Sequence, residues 1–139
     1  MKLLCFQAKR FRWKAHSKIL PEALPQDSDQ EVSDAVVVFL HAEVADANGE
    51  RAASVLRQTV KHIKWLAHKR GLKNVVVHSF AHLGGETSPA DFARSFMDQL
   101  GSRLRASDYR VSSTPFGCSC EWDLSVHGEN LAKVWKEIR

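Results

Sequence analysis

The sequence predicts a single α/β domain built on a mixed sheet of the α+β kind. Its 139 residues, 44% of them apolar, suit one compact core. Short runs rich in β-branched residues are typical of strands, and two other segments repeat apolar residues at helical spacing. Strand pairs stand at both ends of the chain and helical crossovers in its middle, and this order indicates a mixed sheet.

The first third of the chain contains strand candidates and one irregular connection. Residues 2–6 form an apolar strand, which continues into an alternating segment at residues 6–18 as one long strand or a bent hairpin. Two prolines and several acidic residues predict an irregular connection at residues 19–34. The β-branched run at residues 34–44 predicts a central strand.

The alternating segment carries a basic face. Alternation turns Phe11 and Trp13 toward one side of the strand. The opposite side carries three cations, which are Arg10, Arg12 and Lys14. We predict that these three bind RNA phosphates, although positive charge that keeps an edge strand from pairing explains the pattern equally well.

The first predicted helix begins near residues 46–50 and ends at Gly71. Between them, apolar residues recur at spacings of three and four, which directs one stripe toward the core. The stripe consists of Ala52, Leu56, Val60, Ile63 and Ala67. The adjacent helix face is basic, and contact with solvent is the usual explanation of such a face. It carries Arg57, Lys61, Lys64 and His68.

A further strand at residues 74–80 precedes the second predicted helix. Ser88 as N-cap and Pro89 as first helical residue make a strong helix start, followed by a core stripe. The stripe consists of Phe92, Phe96, Leu100 and Leu104. Two more strands follow at residues 109–117 and 120–128, and the tail at residues 129–139 predicts a short docked helix.

The two C-terminal cysteines stand one residue apart in an alternating segment. Alternation places Cys118 and Cys120 with Trp122 on the face directed to the core, where cysteine acts as a small hydrophobe. A metal would need further ligands, and one strand face supplies only two, so no metal is expected. The histidines that could complete such a site are His41, His78 and His82. A cysteine nucleophile is equally unsupported, because no neighbouring base in the sequence would lower its pKa.

Bulk properties limit the environment and the partners. The net charge of +4 is compatible with an RNA partner without requiring one. No apolar run approaches the length needed to cross a bilayer, and the N-terminus is charged too early for a secretory signal. Three cysteines suit free thiols in a reducing compartment, so we expect a cytoplasmic protein without a membrane partner. Common phosphate-loop, nucleophile-elbow and zinc-protease motifs are absent from the sequence.

Three segments resemble the N-terminal editing domain of archaeal threonyl-tRNA synthetase. They are VVFLHAE at residues 37–43, VVVHSFAHLGGETSPADF at residues 75–92 and YRVSSTPFG at residues 109–117. In that family a strand ends in Ala-His-Leu before a Ser-Pro helix start, and a later strand leads into Pro-Phe-Gly. The corresponding residues are Ala81, His82, Leu83, Ser88, Pro89, Tyr109, Val111, Pro115, Phe116 and Gly117. The likeness covers nearly all of residues 1–139, as one editing-like domain.

The resemblance implies a fold like that of D-aminoacyl-tRNA deacylases, a homodimer and no cofactor. It also implies hydrolysis of an amino acid wrongly esterified to tRNA, with serine on threonine tRNA as the first expectation. The partner would then be a tRNA acceptor end or an aminoacyl-adenosine. Since 139 residues leave no room for an aminoacylation body, we expect a free-standing editing domain. The alternative is a catalytically degenerate module that binds tRNA or a nucleotide.

The resemblance also supplies site residues. His82 is retained, and Ser119 and Cys120 stand where the family has a tyrosine and the lysine implicated in catalysis, so these three are the catalytic candidates. The substrate-binding candidates are Glu43, Ala81, Phe116 and Gly117. Backbone amides around Phe116 and Gly117, together with a ribose hydroxyl of the RNA, could stabilise the oxyanion that forms during ester hydrolysis.

Overall fold

The computed structural model describes residues 1–23 and 29–139 and confirms the predicted α/β class. Within these residues the strands are β1 (Lys2–Lys18), β2 (Asp29–His41), β3 (Asn74–Ser79), β4 (Arg110–Ser113), β5 (Cys118–Val126) and β6 (Lys133–Glu137). The helices are α1 (Gly49–His68) and α2 (Ala90–Arg105), and 3-10 turns lie at Val44–Ala47 and Asn130–Ala132. Neither of these two helices is long and apolar enough to span a membrane.

The strands form one mixed sheet in the order β4-β3-β2-β1, with β5 and β6 sharing the position beyond β1. The strands β2, β3 and β4 are parallel and are connected by α1 and α2. The strand β1 is antiparallel to all its neighbours, and the long single strand is the correct one of the two forms predicted for it. β1 has two neighbours on one edge because β6 pairs with residues 2–6 and β5 with residues 8–18.

The two helices cover one face of the sheet and bury the main core. The stripes predicted from helical spacing are confirmed at these buried residues: Leu56, Ile63, Ala67, Phe96, Leu100 and Leu104. Val60 and Phe92 are partly buried against the same core, and Ala52 is half-buried. Asn48 caps the start of α1 through its side chain, which accepts a hydrogen bond from Glu50 N. The helix α2 begins one residue later than predicted, at Ala90 with Pro89 as N-cap, because its first hydrogen bond runs from the N–H of Ala93 to the carbonyl of Pro89, and the Ser88 hydroxyl donates to that carbonyl instead of capping the helix.

The other face of the sheet carries a second apolar cluster. It consists of Ala8, Phe11, Trp13, Ala35, Val37, Phe39 and Val76. Register shifts near Lys9 and His16 interrupt the pairing of β1 with β5, and such bulges bend and twist a strand. The second half of β1 and its partner β5 therefore curl over this face, where the ring of Trp122 lies 5.2 Å from that of Phe39. Phe11 and Trp13 share one side of β1, as predicted, and both are buried in this cluster.

The predicted C-terminal helix is wrong. Residues 133–137 form the strand β6, which pairs with residues 2–6 of β1. A helix there would leave the backbone N–H and C=O groups of that edge without partners, and so short a helix is marginal by itself. The apolar spacing that suggested a helix instead places Ile138 in the main core and leaves Trp135 53% exposed on the other side.

The predicted irregular connection at residues 19–34 is wrong in its last part. Residues 29–33 belong to β2 and pair with residues 10–14 of β1. Their acidic side chains, which suggested a loop, lie beside the cations of β1 and form cross-strand ion pairs with them. Residues 24–28 of the predicted connection lie outside the described residues.

Candidate functional site

Three segments of the candidate site leave the sheet at one edge, the carboxyl ends of β2, β3 and β4. Ligands of parallel α/β sheets commonly bind at this edge. The backbone N–H of Phe80 donates to the carbonyl of Leu40 at 2.9 Å, which joins the ends of β2 and β3. The N–H of Thr114 donates to the carbonyl of Val77 at 3.1 Å, which joins β3 to the start of the Pro115–Gly117 loop. The segments that carry Glu43, His82 and Gly117 thus begin side by side.

Buried His41, the last residue of β2, fixes the loop that follows His82. Its Nδ1 accepts the backbone N–H of Leu83 at 3.1 Å. Nε2 therefore carries the ring hydrogen, and the carbonyl of Glu86 and the hydroxyl of Thr87 each lie 3.1 Å from it. The sequence suggested His41 only as a possible metal ligand. Its position as a polar residue at the end of a buried strand was the one signal of this role.

Glu43 is held as a carboxylate by two cations. Its Oε1 accepts a hydrogen bond from the α-ammonium of Met1 at 2.9 Å, and its Oε2 accepts one from Lys2 Nζ. Burial by itself would raise the pKa of Glu43, but these hydrogen bonds and charges outweigh it and lower the pKa to about 2. The side chain of Lys2 also lies against Gly84, where a Cβ would be 2.9 Å from Nζ. Lys2 thus connects Glu43 to the loop after β3.

An aromatic wall leads from the sheet to His82. The exposed ring of His82 lies 5.1 Å from that of Phe80, and Phe80 lies 6.4 Å from Trp122 and 6.0 Å from His78. His78 is buried and its Nδ1 lies 2.8 Å from the hydroxyl of Thr114. Burial lowers the pKa of His78 to about 4, so its ring is neutral at pH 7. A wall of neutral rings is suited to stacking with a nucleobase.

The Pro115–Gly117 loop is anchored through Gly117. Its φ of +76° favours glycine, and its carbonyl accepts hydrogen bonds from the backbone of Ile19 at 2.7 Å and of Leu20 at 3.0 Å. A Cβ at position 117 would lie 3.1 Å from the side chain of Leu20. The ring of Phe116 lies under the guanidinium of Arg94 at 5.0 Å. Among the described residues, no backbone carbonyl accepts from the amides of Phe116 or Gly117.

Ser119 and Cys120 lie on β5, where they pair with Ser17 and Ala15 of β1. The predicted core-facing side of β5 is only partly correct. Cys118 is buried and Leu124 packs on the second apolar cluster, but Cys120 is half-buried and Trp122 is 40% exposed. Burial, and then the neighbouring Cys118, raise the pKa of the Cys120 thiol, which disfavours a thiolate nucleophile. Within residues 1–23 and 29–139, no hydrogen bond joins His82 to Ser119 or Cys120, and no cluster of three metal-ligating side chains forms.

The basic face of β1 is compensated by carboxylates of the adjacent strands. Arg12 makes two hydrogen bonds of 2.7 Å to Asp29 and one of 3.3 Å to Asp123. Arg10 forms an ion pair with Glu31 at 3.4 Å. Lys14 stands between Asp29 and Glu121 in the register of the sheet. A phosphate would have to compete with these carboxylates for the cations. The sequence of β1 by itself could not predict this competition, because the carboxylates belong to other strands.

Comparison with known proteins identifies relatives over the whole chain. The model of the archaea-specific editing domain of threonyl-tRNA synthetase matches residues 1–138. A threonine–tRNA ligase of Hyperthermus butylicus is 32% identical over 140 residues, which cover 96% of this chain and 22% of that protein. The corresponding ligase of Cenarchaeum symbiosum is 29% identical over 99% of this chain and 21% of its own length. The chain therefore spans 21–22% of the length of these curated relatives.

Two solved structures share the fold. A c-Myc DNA unwinding element binding protein superimposes with a TM-score of 0.70 at 14% identity, over 100% of this chain and 99% of the other. A probable eukaryotic D-amino acid tRNA deacylase superimposes with a TM-score of 0.65 at 12% identity, over 99% and 98%. Identities this low bear on the fold alone, and the fold is the deacylase-like one expected from the sequence.

Proposed function

The chain belongs to the archaea-specific editing-domain family of threonyl-tRNA synthetase, and from this premise we propose that it binds the aminoacylated 3′ end of a tRNA and hydrolyses its ester. The observation that carries the proposal is the meeting of the family's Ala-His-Leu and Pro-Phe-Gly segments at one sheet edge. His78 and Thr114 lie just before these two segments, and the hydrogen bond between them supports a shared site. Serine esterified to threonine tRNA is the first substrate to test.

In this proposal the terminal adenosine stacks on Phe80, the ring of the aromatic wall that lies next to His82. His82 stands at the outer end of the wall and orients the aminoacyl ester through hydrogen bonds of its exposed ring. The amides of Phe116 and Gly117 donate to the carbonyl oxygen as it becomes an oxyanion. A water oxygen attacks the carbonyl carbon, the bond to the ribose oxygen breaks, and the water's proton passes to that oxygen by way of the neighbouring ribose hydroxyl.

The reaction tolerates the loss of a basic side chain because the substrate is an activated ester. Placement of the water and of the ester supplies part of the rate enhancement. The site itself offers little free charge, because Glu43 is compensated, His78 is neutral and the thiol of Cys120 stays protonated near neutral pH. The proposed catalytic contribution of Ser119 is limited to positioning the water.

The direct test is release of serine from seryl-tRNA specific for threonine, with correctly charged threonyl-tRNA beside it. We expect serine release above the buffer rate, and a loss of about 100-fold in the variant His82→Ala. The exposed residue His16 provides the matched control, His16→Ala, which should retain the wild-type rate. If no aminoacyl-tRNA is hydrolysed above the buffer rate at high protein concentration, the deacylase proposal is lost.

A non-catalytic binding module is the second candidate. The feature that favours it is Cys120 in the place of the family's lysine, with a thiol pKa raised further by burial. This candidate predicts saturable binding of a non-hydrolysable seryl-adenosine analogue to the wild type without turnover of the ester. Turnover that appears only in a Ser119→Tyr/Cys120→Lys variant would identify this candidate as the correct one.

We further propose that a second copy of the chain covers the outer part of the aromatic face. Trp122 and Trp135 are 40% and 53% exposed, and Trp135 stands opposite Leu4 on that side of the sheet. Two bulky indoles on one face are unusual unless another surface covers them. Light scattering after size exclusion should give a dimer mass, and Trp135→Glu should give a monomer. A monomeric wild type at all concentrations would refute this assembly. The free-standing form of the domain stays a prediction.

A further inference from the structure

The positive charge of the chain is concentrated in one segment. Residues 51–85 contain seven Lys and Arg side chains and no Asp or Glu, whereas the whole chain has a net charge of +4. The rest of the molecule is therefore net acidic. Most of this segment is α1 and the turn after it. A surface of one sign attracts ligands of the opposite charge.

The cations of α1 line its exposed side. Arg57, Lys61 and Lys69 are exposed, and none of them forms an ion pair with another described residue. At about 1.5 Å of rise per residue, Arg57 and Lys69 stand about 18 Å apart along the helix. One nucleic-acid strand has a phosphate about every 3.4 Å, so this length matches about five phosphates. Arg10 and Arg12 of β1 differ because their charges are already compensated.

An exposed indole lies among these cations. Trp65 is 45% exposed, and Lys69 Nζ lies 5.8 Å from the centre of its ring. The ring of His62 stacks beside it at 5.9 Å with an interplanar angle of 27°. Burial, and then the charge of Lys136, lower the pKa of His62, which keeps this ring neutral at pH 7. Rings interleaved with cations are suited to ribose and base contacts next to phosphates.

We propose that the exposed face of α1, rather than the basic face of β1, binds the phosphates of the RNA stem whose 3′ end enters the proposed site. The α1 surface comprises Arg57, Lys61, Trp65, His68 and Lys69. The inference rests on the proposed function for the position of the 3′ end. The helix begins at Gly49, six residues after Glu43, and at about 1.5 Å per residue it extends about 30 Å away from that end of the sheet. The aromatic wall lies on the opposite face of the sheet from α1, so in this inference the single-stranded 3′ end passes over the carboxyl end of the sheet and the stem runs along α1 past its cations.

The surface is tested by titrating the full chain with a threonine tRNA and with a hairpin of its acceptor stem at several salt concentrations. Each phosphate contact contributes about 0.9 to the slope of log affinity against log salt. The double variant Lys61→Gln/Lys69→Gln should therefore make the slope shallower by about 2 and weaken binding about tenfold. Trp65→Ala should weaken binding with little change in slope, and Trp65→Phe should restore most of it. The control Lys9→Gln/Lys18→Gln removes the same charge from β1 and should bind within about twofold of wild type.

Hydrolysis of seryl-adenosine, which has no stem, separates this inference from the proposed function. The α1 variants should hydrolyse it like wild type. If wild type fails to hydrolyse it while the α1 variants still lose RNA affinity, the deacylase proposal fails and the RNA surface stands. Equal RNA binding by wild type and Lys61→Gln/Lys69→Gln would overturn the surface. An equal loss in the β1 control, or binding of wild type to anionic vesicles but not to RNA, would overturn it as well.

Discussion

Replacing His41 by leucine tests how the site loop is held. Leucine is similar in size but can neither accept from Leu83 N–H nor donate to the Glu86 carbonyl. Each lost hydrogen bond costs about 1 kcal/mol net, so the two bonds amount to about 2 kcal/mol. Because the loop side chains are exposed, the freed backbone groups reach water when the loop opens. The cost should therefore appear as easier local opening.

The matching measurement is amide hydrogen exchange of Leu83 under native conditions. A free-energy change of about 2 kcal/mol corresponds to roughly 30-fold faster exchange at Leu83. Exchange in the strand β3 should stay at its wild-type rate. His41→Asn keeps an acceptor for the N–H of Leu83 and should recover part of the protection, whereas the exposed His16→Leu should change nothing. Unchanged exchange at Leu83, or equal acceleration throughout the molecule, would refute the assignment of His41 as the anchor of this loop.

Three other perturbations test the packing and the charges around the site. The pKa of Glu43 is lowered from 4.5 to about 2. Its ion pairs therefore stabilise the fold fully above pH 4.5, and this stabilisation is lost as the pH falls toward 2. Urea unfolding should show wild type roughly 2 kcal/mol more stable than Glu43→Gln at pH 7, and nearly equal to it at pH 2. Trp13→Ala should destabilise by about 3–5 kcal/mol in the same assay, because this side chain is 1% exposed. Gly117→Ala should cost about 1–2 kcal/mol, since its φ is +76° and the added Cβ meets Leu20 at 3.1 Å. A difference for Glu43→Gln that does not vary with pH, or losses below about 0.5 kcal/mol at the other two positions, would contradict these assignments.

Patterns that are local in the sequence predicted the fold well. The central strands and both helices follow from runs and spacings that each segment carries by itself. The prediction of a C-terminal helix failed because residues 131–138 fit a helical spacing, whereas their pairing with residues 2–6 depends on a strand more than a hundred positions away. The prediction of a loop at residues 29–33 failed for the same reason, since their acidic side chains are compatible with a strand because they form ion pairs with the cations of β1.

The candidate site shows the same division between local and distant information. The resemblance named His82 and Gly117, and the parallel strands place their segments at one edge. The anchoring function of His41 depends on a contact with a loop more than forty residues away, which no local pattern encodes. The basic face of β1 looked free in sequence because its partners, Asp29 and Asp123, come from two other strands.

The thiol at position 120 determines how the proposed site must act. A lysine there would place a positive charge near the developing oxyanion, and one such charged donor is worth about 100-fold or more in rate. The side chain of Cys120 gives no such charge, because a thiol is neutral when protonated and negative when ionised, and burial favours its neutral form. Backbone amides and stacking are then the main catalytic resources, so Cys120→Lys should raise the deacylation rate about 100-fold at unchanged analogue affinity. Should the rate stay at the wild-type level while the fold is retained, position 120 would lie too far from the ester to act on it, and β5 would have to be removed from the proposed site.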